Sequence, residues 1–225
     1  MCGRYAVTLP PDAMADLFGS ADRPNFPPRW NVAPTQMVPI AAIGQAGNVR
    51  LLQARWGLRP AWMVKDPPTG PLFNARGETV ADKPAFKVAF ARKRCLVPAD
   101  GFYEWQRQEK SRTPFFISRA DGATLAFAGL WEATKDDAGE LLLSMTIVTT
   151  AAAPDFQSLH DRFPVVLEPA QWQTWLTADT PAQRLKSLLV APEMGVMVAR
   201  QVSDRVNKVS HDDADCARPI AAGLL

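Results

Sequence analysis

Only two histidines, His160 and His211, and three cysteines, Cys2, Cys95 and Cys216, occur in the 225 residues of this chain. Two histidines are too few for a multi-histidine metal centre. The cysteines lie far apart, form no C-x-x-C pair and are odd in number. Neither a disulfide framework nor a zinc site is therefore indicated, and reduced thiols fit a cytoplasmic address. No run approaches the ~18 apolar residues needed to span a bilayer. The start lacks the basic, then apolar, profile of a signal peptide. Charge of one sign is missing too: 25 Lys and Arg against 23 Asp and Glu leave +2. That balance alone does not define a polyanion binder. There is no internal repeat, low-complexity tract or linker, so residues 1–225 read as one domain. No cofactor, metal or membrane is expected, and the expected state is a monomer.

Twenty prolines and 47% apolar residues are present, ordinary for a soluble globular fold with many turns. Segment 11–19 places Pro-Asp ahead of Met14, Leu17 and Phe18 and stops at Gly19, which predicts a short helix. The proline-rich stretch 23–34 predicts a loop fixed against the body. Short apolar, often β-branched runs at 37–42, 49–56, 94–97, 115–118, 124–131, 141–149, 164–167 and 196–199 predict strands. Helical spacing recurs at 84–93, 169–177 and 181–190. Many strands with few helices between them predict an α+β fold. Its expected core is a curved, mostly antiparallel, barrel-like sheet flanked by a few helices.

The second residue is the most unusual feature. An initiator methionine ahead of cysteine is normally removed, and Cys2 would then carry a free α-amine and a thiol on adjacent carbons. With an amine pKa of ~7.7–8.0, a useful fraction is neutral and nucleophilic near neutral pH. Such a 1,2-aminothiol attacks an aldehyde to give a Schiff base, and the thiol closes a thiazolidine ring. A chance cysteine behind the start codon is the plain alternative. Three further segments concentrate polar groups. Asn74-Ala75-Arg76-Gly77-Glu78-Thr79 offers an amide, a guanidinium and a carboxylate, or merely caps the next helix. In Asp100-Gly101-Phe102-Tyr103-Glu104-Trp105, Asp-Gly reads as a turn. Glu104 then lies among three aromatics, where lost hydration should raise its pKa. The other reading is an exposed Glu on an alternating strand, with Tyr103 and Trp105 on the opposite face. His160-Asp161-Arg162-Phe163-Pro164 sets a proton donor beside a phosphate-seeking fork. The run Arg92-Lys93-Arg94 and His211 read as solvated surface.

Taken together these segments resemble the SRAP family, the SOS response-associated peptidase or abasic site processing proteins. The matching motifs are Cys2-Gly3-Arg4, Trp30 to Thr35, Trp56-Gly57-Leu58 with Pro60 and Trp62, Asn74-Ala75-Arg76 with Glu78-Thr79, and Pro98 to Trp105. Gly129-Leu130-Trp131, Thr149, His160-Asp161-Arg162 with Pro164, Val202-Ser203 and Val206-Asn207 complete the series over nearly the whole chain. Phe163 stands where the family often has Met.

The resemblance implies a protein that finds abasic sites in single-stranded DNA and links itself to them covalently. It implies Cys2 as nucleophile, His160 as proton donor to the sugar ring oxygen, Glu104 as the group moving protons at the imine, and Asn74 as a hydrogen-bonding partner of the adduct. It also implies Arg4, Arg76 and Arg162 as phosphate contacts, Thr149 as a hydroxyl contact, and Pro34 and Trp62 as wedges beside the bases. Self-removal of Met1 and a weak lyase activity go with it. Two other classes remain open on the residues alone: an N-terminal-nucleophile cysteine protease or amidohydrolase, and a non-covalent single-strand-binding module.

Overall fold

Proline and glycine placement explains how the first helix starts and stops. In the computed structural model, which describes residues 2–63, 67, 69–108, 111–136 and 138–224, β1 (Tyr5–Val7) is followed by α1 (Pro11–Phe18). Pro11 opens α1, where its missing N–H is not needed. Gly19 closes it in the left-handed region at φ 66°, and the Ser20 N–H returns to the Ala15 carbonyl at 2.9 Å. Then come β2 (Arg29–Val32), β3 (Met37–Ile43), β4 (Val49–Trp56), β5 (Asn74–Arg76), α2 (Lys87–Arg92), β6 (Arg94–Ala99) and β7 (Gly101–Gln108). The chain continues with β8 (Ser111–Arg119), β9 (Leu125–Lys135), β10 (Leu141–Ala151), β11 (Arg162–Pro164), α3 (Pro169–Leu176) and α4 (Ala182–Ser187). It ends with β12 (Met197–Val202) and β13 (Pro219–Leu224).

Strands β3, β4, β10, β9 and β6 pair in a closed ring, antiparallel throughout except at β4–β10. Closure removes the free edges of these strands. Buried Tyr5, Trp56, Phe102 and Phe127 form its aromatic packing, with Tyr5 and Trp56 edge to face at 5.1 Å. A second, antiparallel sheet runs β13-β12-β8-β7-β1-β2. The two sheets are joined at Asp100-Gly101. This pair is a bend rather than the tight turn expected. Here the chain leaves the ring, and a Cβ on Gly101 would lie 2.5 Å from the Ile117 carbonyl oxygen. Glycine is required for that approach.

The expected fold class is the observed one: a single-domain α+β fold with a curved, mostly antiparallel, barrel-like sheet and few helices. Local expectations fared unevenly. The stretch 23–34 is not all loop, because β2 occupies Arg29–Val32 between Pro28 and Pro34, where every backbone N–H is available. Strand β11 sits at Arg162–Pro164, earlier than the expected 164–167, while Val166 makes only an isolated bridge to Phe127. Helices α2 and α4 are shorter than 84–93 and 181–190. Among the described residues no helix is long and apolar enough to cross a membrane.

Candidate active site

Pairing of β1 with β7 places the chain's start. Tyr5 faces Phe102 and Ala6 faces Gly101, and the Tyr103 N–H donates to the Arg4 carbonyl at 2.9 Å. Continued by two residues, this antiparallel register sets Gly3 opposite Glu104. Cys2 thus adjoins Gly3, which with Glu104, Trp105 and His160 lines an open cleft of about 650 Å³. The cleft lies where β7 and β8 meet the barrel-side groups of Phe73, Arg76 and the Ser158–Arg162 segment.

Cys2 is fully buried. The Asn74 Nδ2 donates to its carbonyl at 2.8 Å, while the Asn74 Oδ1 is buried with no partner among the described residues. An unpaired buried acceptor carries a desolvation penalty unless something occupies it. Burial pushes the Cys2 thiol up, and the neighbouring Glu104 pushes it further. Glu104 is itself 4% exposed, and burial raises its carboxyl to about 7. β7 does not alternate in exposure: Phe102, Tyr103 and Glu104 are all buried, so Glu104 is no solvent-facing residue. The aromatic setting behaves as the physics of lost hydration requires.

His160 follows the one-turn helix Pro154–Phe156, and its N–H donates to the Phe156 carbonyl at 3.0 Å. Its Nδ1 accepts the Arg162 backbone N–H at 2.9 Å and also lies 2.8 Å from the Asp161 Oδ1. These two contacts ask for opposite proton states at Nδ1. Burial lowers the His160 pKa and Asp161 is largely exposed, so the neutral ring, with bare Nδ1 and its proton on Nε2, is the state that satisfies the site.

The remaining sequence candidates divide. Arg76 is exposed at the end of β5, and both it and Arg162 line the cleft. The Arg162 fork is occupied, with Nη1 and Nη2 donating to the two Glu78 oxygens at 2.6 and 2.9 Å. These bonds hold the Glu78 carboxyl below the usual range. Thr149 is fully buried and accepts from Arg162 through its carbonyl at 2.8 Å. It therefore positions that arginine from within. Arg4 is half-buried; its Nη1 donates to the Asn31 Oδ1 at 2.7 Å and to the Val206 carbonyl at 2.8 Å. Its guanidinium lies 5.9 Å from the centre of the Trp105 ring. Pro34 sits half-buried in the turn after β2, and Trp62 is 64% exposed; neither is part of the cleft wall.

Sequence reasoning passed over Glu78 as the partner of Arg162, Asn31 as the anchor of Arg4, and Arg107 and Arg112, which line the same cleft. The doubled arginines around the 108–111 connection were the only signal for the last two. No group of His, Cys, Asp and Glu able to hold a metal ion occurs among the described residues.

A family profile described as SOS response associated peptidase (SRAP) matches residues 1–209. Abasic site processing protein YoaM of Bacillus subtilis is 38% identical over 221 residues, covering 96% of each chain. Abasic site processing protein YedK of Escherichia coli is 31% identical, covering 98% of this chain and all of its own. A solved structure from Bacteroides thetaiotaomicron superposes with a TM-score of 0.86 over 97% of the chain at 22% identity, a likeness of fold. One from Bordetella bronchiseptica, 28% identical, gives 0.77 over 90%.

Proposed function

The chain belongs to the SOS response associated peptidase family, and on that premise we propose that it recognises abasic sites in single-stranded DNA and bonds to them through Cys2. The names of its relatives support the lesion. The observation that carries the chemistry is a run of neighbours leading to the cleft: Asn74 bonded to Cys2, Cys2 beside Glu104, and Glu104 sharing a cleft wall with His160.

An abasic deoxyribose interconverts between a closed hemiacetal and an open aldehyde. The Nε2–H of neutral His160 donates to the ring oxygen and favours opening. Once Met1 is removed, the Cys2 amine attacks the aldehyde carbon and water leaves, giving a Schiff base. The Cys2 sulfur then adds to that carbon, and its proton passes to the nitrogen, closing a thiazolidine. Glu104, with a pKa near 7, is close enough to the amine's ~7.7–8.0 to move protons in both directions. Asn74 holds Cys2 by its carbonyl and keeps an amide oxygen for the adduct. Breakage of the strand from the Schiff base accounts for an associated lyase activity, and self-removal of Met1 for the peptidase in the family's description.

A cysteine protease requires a thiolate, and burial disfavours one at Cys2. A denaturing gel with abasic single-stranded DNA separates the readings. A heat-stable shifted band is expected from the protein with Cys2 at its terminus. Cys2→Ala should lose that band while keeping a transient, reducible imine, and retention of Met1 should be as damaging. An undiminished stable band from either variant excludes the thiazolidine.

A further inference from the structure

Arg107 and Arg112 are directly opposed across the β7–β8 pair, and both are exposed and line the cleft that holds Glu104 and His160. Like charges facing each other across an antiparallel pair are destabilising. Among the described residues neither guanidinium forms an ion pair, although Glu104 and Asp161 line the same cleft. Of the other cleft arginines, Arg76 is exposed and Arg162 has its fork filled by both oxygens of Glu78. Two adjacent guanidinium forks without an ion pair among the described residues therefore face the same cleft. The charge of Arg107 reaches the reacting end: after burial, which sets the direction of both shifts, it also acts on Glu104 and on His160.

We propose that Arg107 and Arg112 form a phosphate clamp that grips one backbone phosphodiester of the DNA strand beside the lesion. The clamp fixes the strand's register over Cys2 from the β7–β8 side. Paired forks suit the tetrahedral oxygens of a phosphodiester, and facing side chains on neighbouring strands start about 5 Å apart, close enough to converge on one group. Base identity is irrelevant to such a contact. The clamp rests on the reading that this cleft takes single-stranded DNA.

The test uses a short single-stranded oligonucleotide with a tetrahydrofuran lesion, which has no aldehyde and so reports binding alone. Each phosphate near the lesion is replaced in turn by a neutral methylphosphonate. Wild type should lose affinity at one position in particular. The Arg107→Gln, Arg112→Gln double variant should bind about tenfold more weakly, with a log affinity against log salt slope shallower by about 0.7. At that same position the methylphosphonate should cause it no further loss. Its melting temperature should be unchanged or higher, because a like-charge pair is gone. The two single variants repeat the test should the double variant fail to fold. A wild-type slope and an unchanged methylphosphonate profile in folded variants overturn the clamp. The covalent reading is judged separately on true abasic DNA. A heat-stable adduct without the Arg-dependent profile removes the clamp alone, the profile without an adduct removes the covalent step alone, and no binding removes both.

Discussion

Glu104 is a carboxyl kept inside at an energetic cost, and that cost is measurable. Its pKa rises from 4.5 to about 7 in the folded chain because burial penalises the ionised form. The folded state thus holds the proton more tightly than the unfolded one. Its favourable contribution is complete below about pH 4.5 and is lost as pH rises through about 7. Denaturant unfolding across this window should show wild type losing about 3 kcal/mol relative to Glu104→Gln. A parallel pair of curves would mean that the carboxyl is hydrated. Glu78 makes the opposite kind of prediction. Its side chain is 51% exposed, so the pair with Arg162 contributes only ~0–1 kcal/mol to stability. Yet it competes with any phosphate for the fork. Glu78→Gln should bind single-stranded DNA a few-fold more tightly with little change in melting temperature; weaker binding in an anisotropy titration would make Glu78 a support for the fork instead. Cys2, Asn74, Glu104 and His160 could be singled out as candidates because their residue types are out of place in their segments. The Glu78 pairing was not, since 84 positions separate the partners and only the fold brings them together.

At the scale of elements, β2 shows why a proline count misleads. Pro27, Pro28 and Pro34 mark the ends of a strand that pairs with β1, Tyr5 against Val32 and Val7 against Arg29. Periodicity could not show a strand of four residues. Long strands such as β9 and β10, and the capped helix α1, were legible because apolar pattern and end signals agree over many residues. β1, β5 and β13 were not, being short or dependent on a neighbour for their definition. β2 also ties down the segment after β12. The Asn31 Nδ2 donates to the carbonyls of Val206, Lys208 and His211, at 3.2, 3.0 and 2.6 Å. Asp212 accepts the Trp30 and Asn31 N–H groups at 2.6 and 2.9 Å and pairs with Arg29. Asn31→Ala strands those carbonyls and releases Arg4, so a loss of about 2 kcal/mol is expected. Hydrogen exchange should rise first in residues 203–217; protection unchanged there would place the anchor elsewhere.

For the whole molecule, a net charge of +2 gives little long-range attraction for DNA, so the salt dependence of binding should report the cleft alone. With Arg76, Arg162 and the Arg107–Arg112 pair on its wall, two or three phosphate contacts predict a slope of about −1.4 to −2 for single strands. A slope near zero would place the strand on another face. The closed ring supplies the rigidity and the second sheet holds the start of the chain. The join between them has a consequence at the level of translation. Tyr5 is locked opposite Phe102, so only Gly3 and Arg4 separate a fixed strand from the nucleophile. Adding or deleting one codon in that interval would shift Cys2 by about 3.3 Å and turn its side chain to the other face of the sheet. An initiation codon used upstream without trimming would leave the fold intact and bury the amine in a peptide bond. On the proposed chemistry, a chain started upstream and left untrimmed is expected to fold and bind DNA while forming no stable adduct.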